Sequence, residues 1–138
     1  MMAVIGMCLL MVTQSVAAEQ AQAYLVLAGN EPAQTDPVLK EFEPSLKQVF
    51  GCKSCKLLAS DRGELQGNNP TSLKLGRGMV LHVTSVGMER KVRLVDVIVQ
   101  QGIRKLLDSR MRMTGGAPLF IRCPERNEGL LVIVLVVR

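Results

Sequence analysis

Aromatic side chains are scarce in this sequence. It has no Trp, one Tyr and three Phe among its 138 residues, although hydrophobic residues make up 48% of the chain. Proteins that bind single-stranded nucleic acid stack the bases on aromatic side chains, and sugar-binding sites use aromatic rings in a similar way. The composition therefore argues against nucleic acid as a partner and predicts a core of aliphatic residues.

Residues that carry hydrolytic chemistry are also few. His82 is the single histidine, it lies within a predicted strand, and no G-x-S-x-G motif accompanies it. Asp96 and Asp108 do not form a recognisable pair for acid–base catalysis. Asp96 interrupts an apolar run, which predicts a bulge or an exposed face at that point. We predict that the protein is not an enzyme, and we assign it no cofactor and no metal.

Long hydrophobic runs occur at both ends of the chain. Residues 1–12 are nearly all apolar and small residues follow up to Ala18, an order typical of a secretory signal peptide. The run of about 12 residues is shorter than the ~20 that a membrane-spanning helix needs. We predict a signal peptide over residues 1–18, with cleavage after Ala17 as the neighbouring alternative. One globular domain over residues 19–138 would then be periplasmic or secreted.

The run at the C-terminal end, residues 130–137, shows no polar alternation, so a strand there is covered on both faces. It is central in a sheet or lies in a subunit contact, and we favour the central position. Short β-prone segments separated by Gly, Asn and Asp turns predict further strands. The predicted strands are residues 21–28, 54–60, 72–75, 79–86, 91–99, 104–114, 118–123 and 130–137.

A turn at residues 61–63 separates the second strand from the third. A short helix over residues 101–109 is the alternative for part of the sixth strand. The fold class is mainly β (α+β): an antiparallel meander or sandwich of about seven to eight strands with one N-terminal helix, after a signal peptide.

That helix is predicted to begin at Asp36 as N-cap, with Pro37 as its first residue, and to end at Gly51. Apolar residues recur between them at steps of three and four, which predicts a helical stripe that covers part of the sheet. Pro44 lacks an amide donor and clashes with the preceding turn of a helix. Either the helix kinks there or two short turns replace it.

Cys52-Lys53-Ser54-Cys55 has the C-x-x-C spacing of thiol pairs that close a disulfide, exchange with another disulfide or supply half of a metal site. Thioredoxin-like exchange places the first Cys at a helix N-terminus, whereas this pair follows a helix. Zinc would need Cys123 and His82 as further ligands. The remaining interpretations are simple packing, or one disulfide between Cys123 and either member of the pair.

Positive charge is concentrated after Phe50, where fifteen Lys and Arg face seven Asp and Glu. A basic face attracts anionic polymers. The basic residues are interleaved with apolar ones on separate strands, however, which also fits a solvated sheet face that protects exposed edges. The candidates for such a face are Lys91, Arg93, Arg104, Lys105, Arg110 and Arg112.

Residues 50–58, 116–121 and 129–136 resemble a family of small exported bacterial proteins of uncharacterised function. That family combines an opening strand, a short helix leading into F-G-x-K-S-x-x-L-L, and a closing G-x-P-L-F-I followed by G-x-L-I-V-L-V. The resemblance covers most of residues 21–138 and implies an association with secretin-type envelope machinery. Aromatic residues replace Cys52 and Cys55 in the family, which favours packing at both positions.

These observations predict a non-catalytic interaction or scaffold module of the bacterial cell envelope, whose partner is another envelope protein. One alternative is a thiol-based redox or metal-binding protein that uses Cys52 and Cys55. The other is a basic module that binds polyanions.

Overall fold

The computed structural model describes residues 19–31, 34–123 and 130–138. The predicted signal peptide, residues 1–18, and the predicted turn at residues 124–129 lie outside the described residues. Eight strands and two short helical segments make up the described chain. They are β1 (Gln20–Gly29), a 3-10 helix (Pro37–Leu39), α1 (Glu43–Phe50), β2 (Ser54–Glu64), β3 (Thr71–Lys74), β4 (Met79–Glu89), β5 (Val92–Gln101), β6 (Arg104–Thr114), β7 (Leu119–Cys123) and β8 (Leu130–Val137).

The strands form two antiparallel sheets of four strands each. The first sheet has the order β2-β1-β8-β7, and the second has the order β3-β4-β5-β6. Apolar residues of both sheets form one buried cluster between them, to which every strand except β2 contributes at least one buried side chain. The architecture is therefore a β-sandwich, one of the two arrangements that the strand pattern predicts.

The position of β8 explains why its sequence shows no alternation of polar and apolar residues. The strand pairs with β1 on one side and β7 on the other, so it is central in the first sheet, as predicted. Ile133 and its alternate neighbours face the second sheet, whereas Val134 and its alternate neighbours face the helical segments. Because both faces are covered, an apolar residue is favoured at every position of the strand.

A second, smaller core lies on the outer face of the first sheet. The 3-10 helix and α1 pack there, and Leu39, Phe42 and Leu46 are buried against the sheet. The helical cover of the sheet is therefore confirmed, but it lies between β1 and β2 and is not N-terminal. Val38 and Val49, which the sequence pattern places on the same stripe, are exposed.

Pro44 is the reason for the break in that stripe. The chain forms two separate helical segments, the second of the two predicted alternatives, and Pro44 falls in the first turn of α1, where its missing amide is tolerated. The apolar residues of the two segments therefore do not lie on one continuous helical face. Gly51 ends α1 in the left-handed conformation with φ 65°, as predicted for a helix terminus.

β2 is longer than predicted, and the turn expected at residues 61–63 lies inside the strand. Gly63 pairs with Ala21 of β1 in regular register. Asp61 uses its carboxylate to join the two sheets, since Oδ2 accepts a 2.9 Å hydrogen bond from the backbone N–H of Lys74 in β3. Asp and Gly signal a turn in many sequences, but here tertiary pairing extends the strand.

The sixth predicted strand is confirmed over its full length, and the alternative helix at residues 101–109 does not form. Asp96 pairs opposite Thr84 and Arg110 without a bulge at that point, so the exposed-face interpretation holds. The bulges in these ladders occur instead between Ser85 and Gly87 and between Val99 and Gln100.

Candidate functional sites

The fold brings Cys52 and Cys55 into contact. Gly51 turns the chain back at the end of α1, and the backbone N–H of Lys53 donates a 2.9 Å hydrogen bond to the carbonyl of Gly29 at the end of β1. β2 begins one residue later, with Cys55 opposite Ala28. The two Sγ atoms lie 3.6 Å apart as a result.

Both thiols are shielded from solvent in the smaller core. Cys52 is 7% exposed and Cys55 is 1% exposed. Burial, and then the hydrogen bond with Cys52, raise the pKa of Cys55 to about 12. Cys52 Sγ also lies 3.5 Å from the carbonyl oxygen of Leu46, to which it can donate. Cys55 is therefore held as a thiol at neutral pH.

The position relative to α1 also differs from that of an exchange-active pair. Cys52 follows the C-terminal end of the helix. Thiol–disulfide oxidoreductases have the reverse arrangement, with the cysteine at the positive end of a helix. The geometry thus agrees with the prediction that thioredoxin-like exchange lacks its helix placement.

A cavity of about 490 Å³ opens beside the two cysteines. Phe50, Leu27 and Leu130 line its apolar side, while polar groups come from the ends of β1 and β2. The polar lining includes Asn30, Glu31, Gln34, Ser54 and Lys56. These residues carry no sequence motif, so the cavity could not be predicted from the sequence.

Cys123 is not brought to the pair. It lies on β7 and faces the core between the sheets, whereas Cys52 and Cys55 belong to the core under α1. β7 and β2 are the two edges of the first sheet, three strand spacings or roughly 14 Å apart. A disulfide between Cys123 and either member of the pair, one of the alternatives that the sequence left open, is incompatible with this placement.

The alternative zinc site of three Cys and one His is also incompatible with the structure, because its candidate ligands lie apart. His82 lies on β4 in the second sheet, away from all three cysteines. Across residues 19–31, 34–123 and 130–138, no group of three or more His, Cys, Asp and Glu side chains is arranged to hold a metal ion. Two thiols alone do not complete the four-ligand set of structural zinc.

His82 belongs instead to a polar ladder across the outer face of the second sheet. Its Nδ1 lies 2.7 Å from Ser72 Oγ on β3, and its Nε2 lies 3.0 Å from Gln100 Oε1 on β5. With Nε2–H donating to Gln100, Nδ1 is left to accept from Ser72. A hydroxyl beside an oriented imidazole is how a nucleophile is activated, but such a site also needs donors for an oxyanion and a pocket for the substrate. Four cavities formed by the described residues have linings that include none of the three ladder residues.

The six basic candidates do not form one uncompensated face. Arg93 points toward the interior, where it forms an ion pair with Glu19 and donates a 2.9 Å hydrogen bond to Ser85 Oγ. Lys91 lies in the turn between β4 and β5. The other four, Arg104, Lys105, Arg110 and Arg112, follow one another along β6.

Two of the β6 cations are paired with acids. Arg110 binds Asp96 through two hydrogen bonds of 2.8 and 3.3 Å, which lower the pKa of the carboxyl. Lys105 lies 3.2 Å from Asp108. Arg104 and Arg112 are exposed and form no ion pair with any residue in the described part of the chain. The basic surface is therefore a stripe along one strand rather than a broad patch.

β6 is also an open sheet edge. It pairs with β5 on one side, and no described residue pairs with its other side. The corresponding edge at β3 is closed, because Thr71 Oγ1 donates to the carbonyl of Glu64 at 2.8 Å and Asp61 binds Lys74 across the same seam. Of the other two edges, β7 has only five residues, and β2, with eleven residues like β6, is contacted by Asp36 at the N–H of Leu57 and by β3 through Asp61.

Comparison with protein-family models, with curated proteins and with solved structures found no match to this chain. Among the described residues, no helix is long and apolar enough to cross a membrane. The function is therefore inferred from the two sites themselves: the thiol pair with its cavity, and the basic edge at β6.

Proposed function

We propose that the protein is a non-catalytic interaction module of the bacterial cell envelope, exported by its hydrophobic leader. It binds another envelope protein by adding an extended segment of that partner to the edge of β6. Secretin-type machinery is the partner that the sequence resemblance implies. The observation that carries the proposal is the eleven-residue edge strand whose outer side has no partner among the described residues.

An open edge presents a row of backbone N–H and C=O groups that another strand can pair with. This is the basis of strand addition, in which backbone hydrogen bonds supply affinity and side chains supply specificity. Ile103 stands at the start of β6 and is fully exposed, so it offers an apolar contact at one end of the edge. A partner strand of similar length would run from this contact to Thr114.

The charge of the edge indicates the chemistry of the partner. β6 carries four basic side chains and one acidic side chain, Asp108. The ion pairs of Arg110 with Asp96 and of Lys105 with Asp108 are exposed to solvent, and exposed ion pairs contribute little to stability. Carboxylates of a partner can replace them at low cost, so an acidic extended segment fits this edge.

A polyanion-binding function has weaker support. Nucleic acid or lipopolysaccharide is held through many cations that neutralise a dense array of phosphates. Here Arg93 is turned inward, and the remaining cations lie in one row that shares its charge with two acids. A function based on phosphate contacts would also leave the open edge of β6 without a role.

The experiment uses a double charge reversal, Arg110→Glu with Arg112→Glu, on the outer row of β6. Wild type and variant are immobilised, exposed to envelope extract, and the retained proteins are quantified by mass spectrometry. We expect at least one protein with an acidic extended segment to be retained by wild type and reduced at least tenfold with the variant. Purified, that protein should then protect β6 amides from hydrogen exchange.

Lys40→Glu with Lys53→Glu is the matched control, because it makes the same change in net charge at exposed residues away from β6. The control variant should retain the partner as wild type does. Equal loss with both variants would point to long-range charge attraction instead of edge pairing. Retention by all three proteins, or exchange protection confined to another strand, would contradict the proposal.

A further inference from the structure

We propose that Cys52 and Cys55 form an internal disulfide by exchange with a small disulfide that enters the cavity beside them, and that this bond locks the end of α1 to the start of β2. The site lies on the outer face of the first sheet, so it is independent of the β6 edge. Its role is structural and dependent on redox conditions, rather than that of an exchange catalyst.

The geometry is close to that of the product. The sulfur atoms are 3.6 Å apart, compared with about 2 Å in a disulfide. Cys52 lies in the connection between α1 and β2, outside the strand ladder, so its movement is the simplest way to close the gap of about 1.5 Å. Cys55 is held in the ladder with β1, opposite Ala28.

The cavity supplies the access that a buried pair otherwise lacks. Its volume of about 490 Å³ is within the range of pockets that hold small molecules. Cys52 is the more exposed of the two thiols, at 7% against 1%, and is therefore the first to react. Lys56 and Glu31, also in the lining, give the cavity charged groups of both signs for a zwitterionic disulfide such as oxidised glutathione.

The reaction balances as two successive exchanges. The Cys52 thiolate attacks one sulfur of the small disulfide, an S–S bond breaks, and one small thiolate leaves and takes up the proton that Cys52 lost. The Cys55 thiolate then attacks the Cys52 sulfur of the mixed disulfide and expels the second small thiolate, which takes up the proton of Cys55. Both cysteines are oxidised, and the small disulfide is reduced to two thiols.

The surroundings favour the oxidised product. A strongly oxidising disulfide is one whose reduced form is stabilised as a thiolate. Here the opposite holds at Cys55, because burial disfavours its thiolate. A disulfide at this position should therefore resist reduction, and it should form slowly at neutral pH.

The test is peptide mapping of the full chain after equilibration with millimolar oxidised and reduced glutathione and trapping of the remaining thiols. Trypsin cleaves after Lys53, so Cys52 falls in the peptide of residues 48–53 and Cys55 in that of residues 54–56. We expect these two peptides to be recovered joined in most molecules. They should stay joined when reduced glutathione exceeds the oxidised form by about tenfold.

A stability readout accompanies the mapping. Oxidation should raise the melting temperature of wild type by roughly 5 °C, and the shift should vanish in Cys52→Ser. Cys123→Ser is the matched control, because that thiol is buried in the other core and its loss should leave the yield of joined peptides unchanged. Separate peptides from folded, oxidised wild type would overturn the proposal, as would a bridge from either residue to Cys123.

Discussion

Single side chains decide how the helical cover is attached to the sandwich. Asp36 stands at the N-cap position of the 3-10 helix, but its carboxylate forms no cap hydrogen bond there. Instead Oδ2 accepts a 2.9 Å hydrogen bond from the backbone N–H of Leu57 in β2. One carboxylate therefore ties the connection after β1 to the edge of the first sheet.

Asp36→Ala should lower the free energy of unfolding by about 1–2 kcal/mol, because it leaves the partly buried N–H of Leu57 without its acceptor. Urea denaturation followed by circular dichroism measures the change. Asp108→Ala, which removes an exposed carboxylate paired only with Lys105, should change stability by less than about 0.5 kcal/mol. Similar effects of the two substitutions would show that the Asp36 contact is not stabilising.

The ionisation of Cys55 predicts a loss of stability in alkali. Its pKa is raised to about 12 in the folded chain from the ordinary value of 9.0, so the folded state holds the proton more tightly than the unfolded state. The resulting stabilisation is fully present below pH 9 and is lost as the pH rises from 9 towards 12.

In reducing buffer, the stability difference between wild type and Cys55→Ala should shift against wild type by about 1 kcal/mol between pH 9 and pH 10. Urea melts at each pH measure this difference. Val132→Ala, which shortens a non-ionisable side chain in the same core, controls for general alkaline destabilisation. A difference that stays constant up to pH 10 would mean that the thiol ionises as freely in the folded chain as in the unfolded chain.

Among the strands, β8 and β6 differ most clearly in how many of their faces and sides are covered. β8 is covered on both faces and paired on both sides, whereas β6 alternates partly buried and exposed residues over most of its length and has one open side. The number of covered surfaces explains the difference in sequence, since an apolar residue is favoured only where water is excluded.

Ile133→Ala and Val134→Ala should therefore both be strongly destabilising, although these adjacent residues point in opposite directions. Both are fully buried, and we expect a loss of about 2–4 kcal/mol for each. Arg112→Ala on β6 should cost less than about 0.5 kcal/mol. Thermal or urea unfolding measures all three, and a small effect of either β8 substitution would mean that one face of the strand is not packed.

At the scale of the whole molecule, the net charge of +5 is spread rather than concentrated. The inward Arg93 joins the segment before β1 to the second sheet through Glu19, and the row on β6 is partly paired. A polyanion should therefore be attracted by the total charge of the protein rather than by one localised site.

Retention on heparin should consequently fall by the same amount for Arg110→Glu with Arg112→Glu as for Lys40→Glu with Lys53→Glu. Both pairs lower the net charge equally, and a diffuse interaction depends on total charge and salt. Elution in a salt gradient measures the effect. A much larger shift for the β6 pair would indicate a specific polyanion site and would favour that alternative function.

Local sequence patterns correctly predict the strand-rich class, the central position of β8 and the end of α1 at Gly51. They also predict that the cysteines lack a thioredoxin-like placement. These features depend on local information: residue periodicity, glycine conformation and the order of helix and cysteine pair. Turn signals were less reliable, because Asp61 and Gly63 are held in β2 by pairing with β1 and by the contact with β3.

The contacts between residues distant in the sequence, in contrast, are known only from the tertiary structure. The two-sheet order separates Cys123 from Cys52 and Cys55, carries Arg93 inward to Glu19 and leaves β6 at an edge. The cavity and the Ser72–His82–Gln100 ladder also arise from strands that the chain order does not place together. Such contacts depend on strand order and register, and periodicity within one segment carries no information about either.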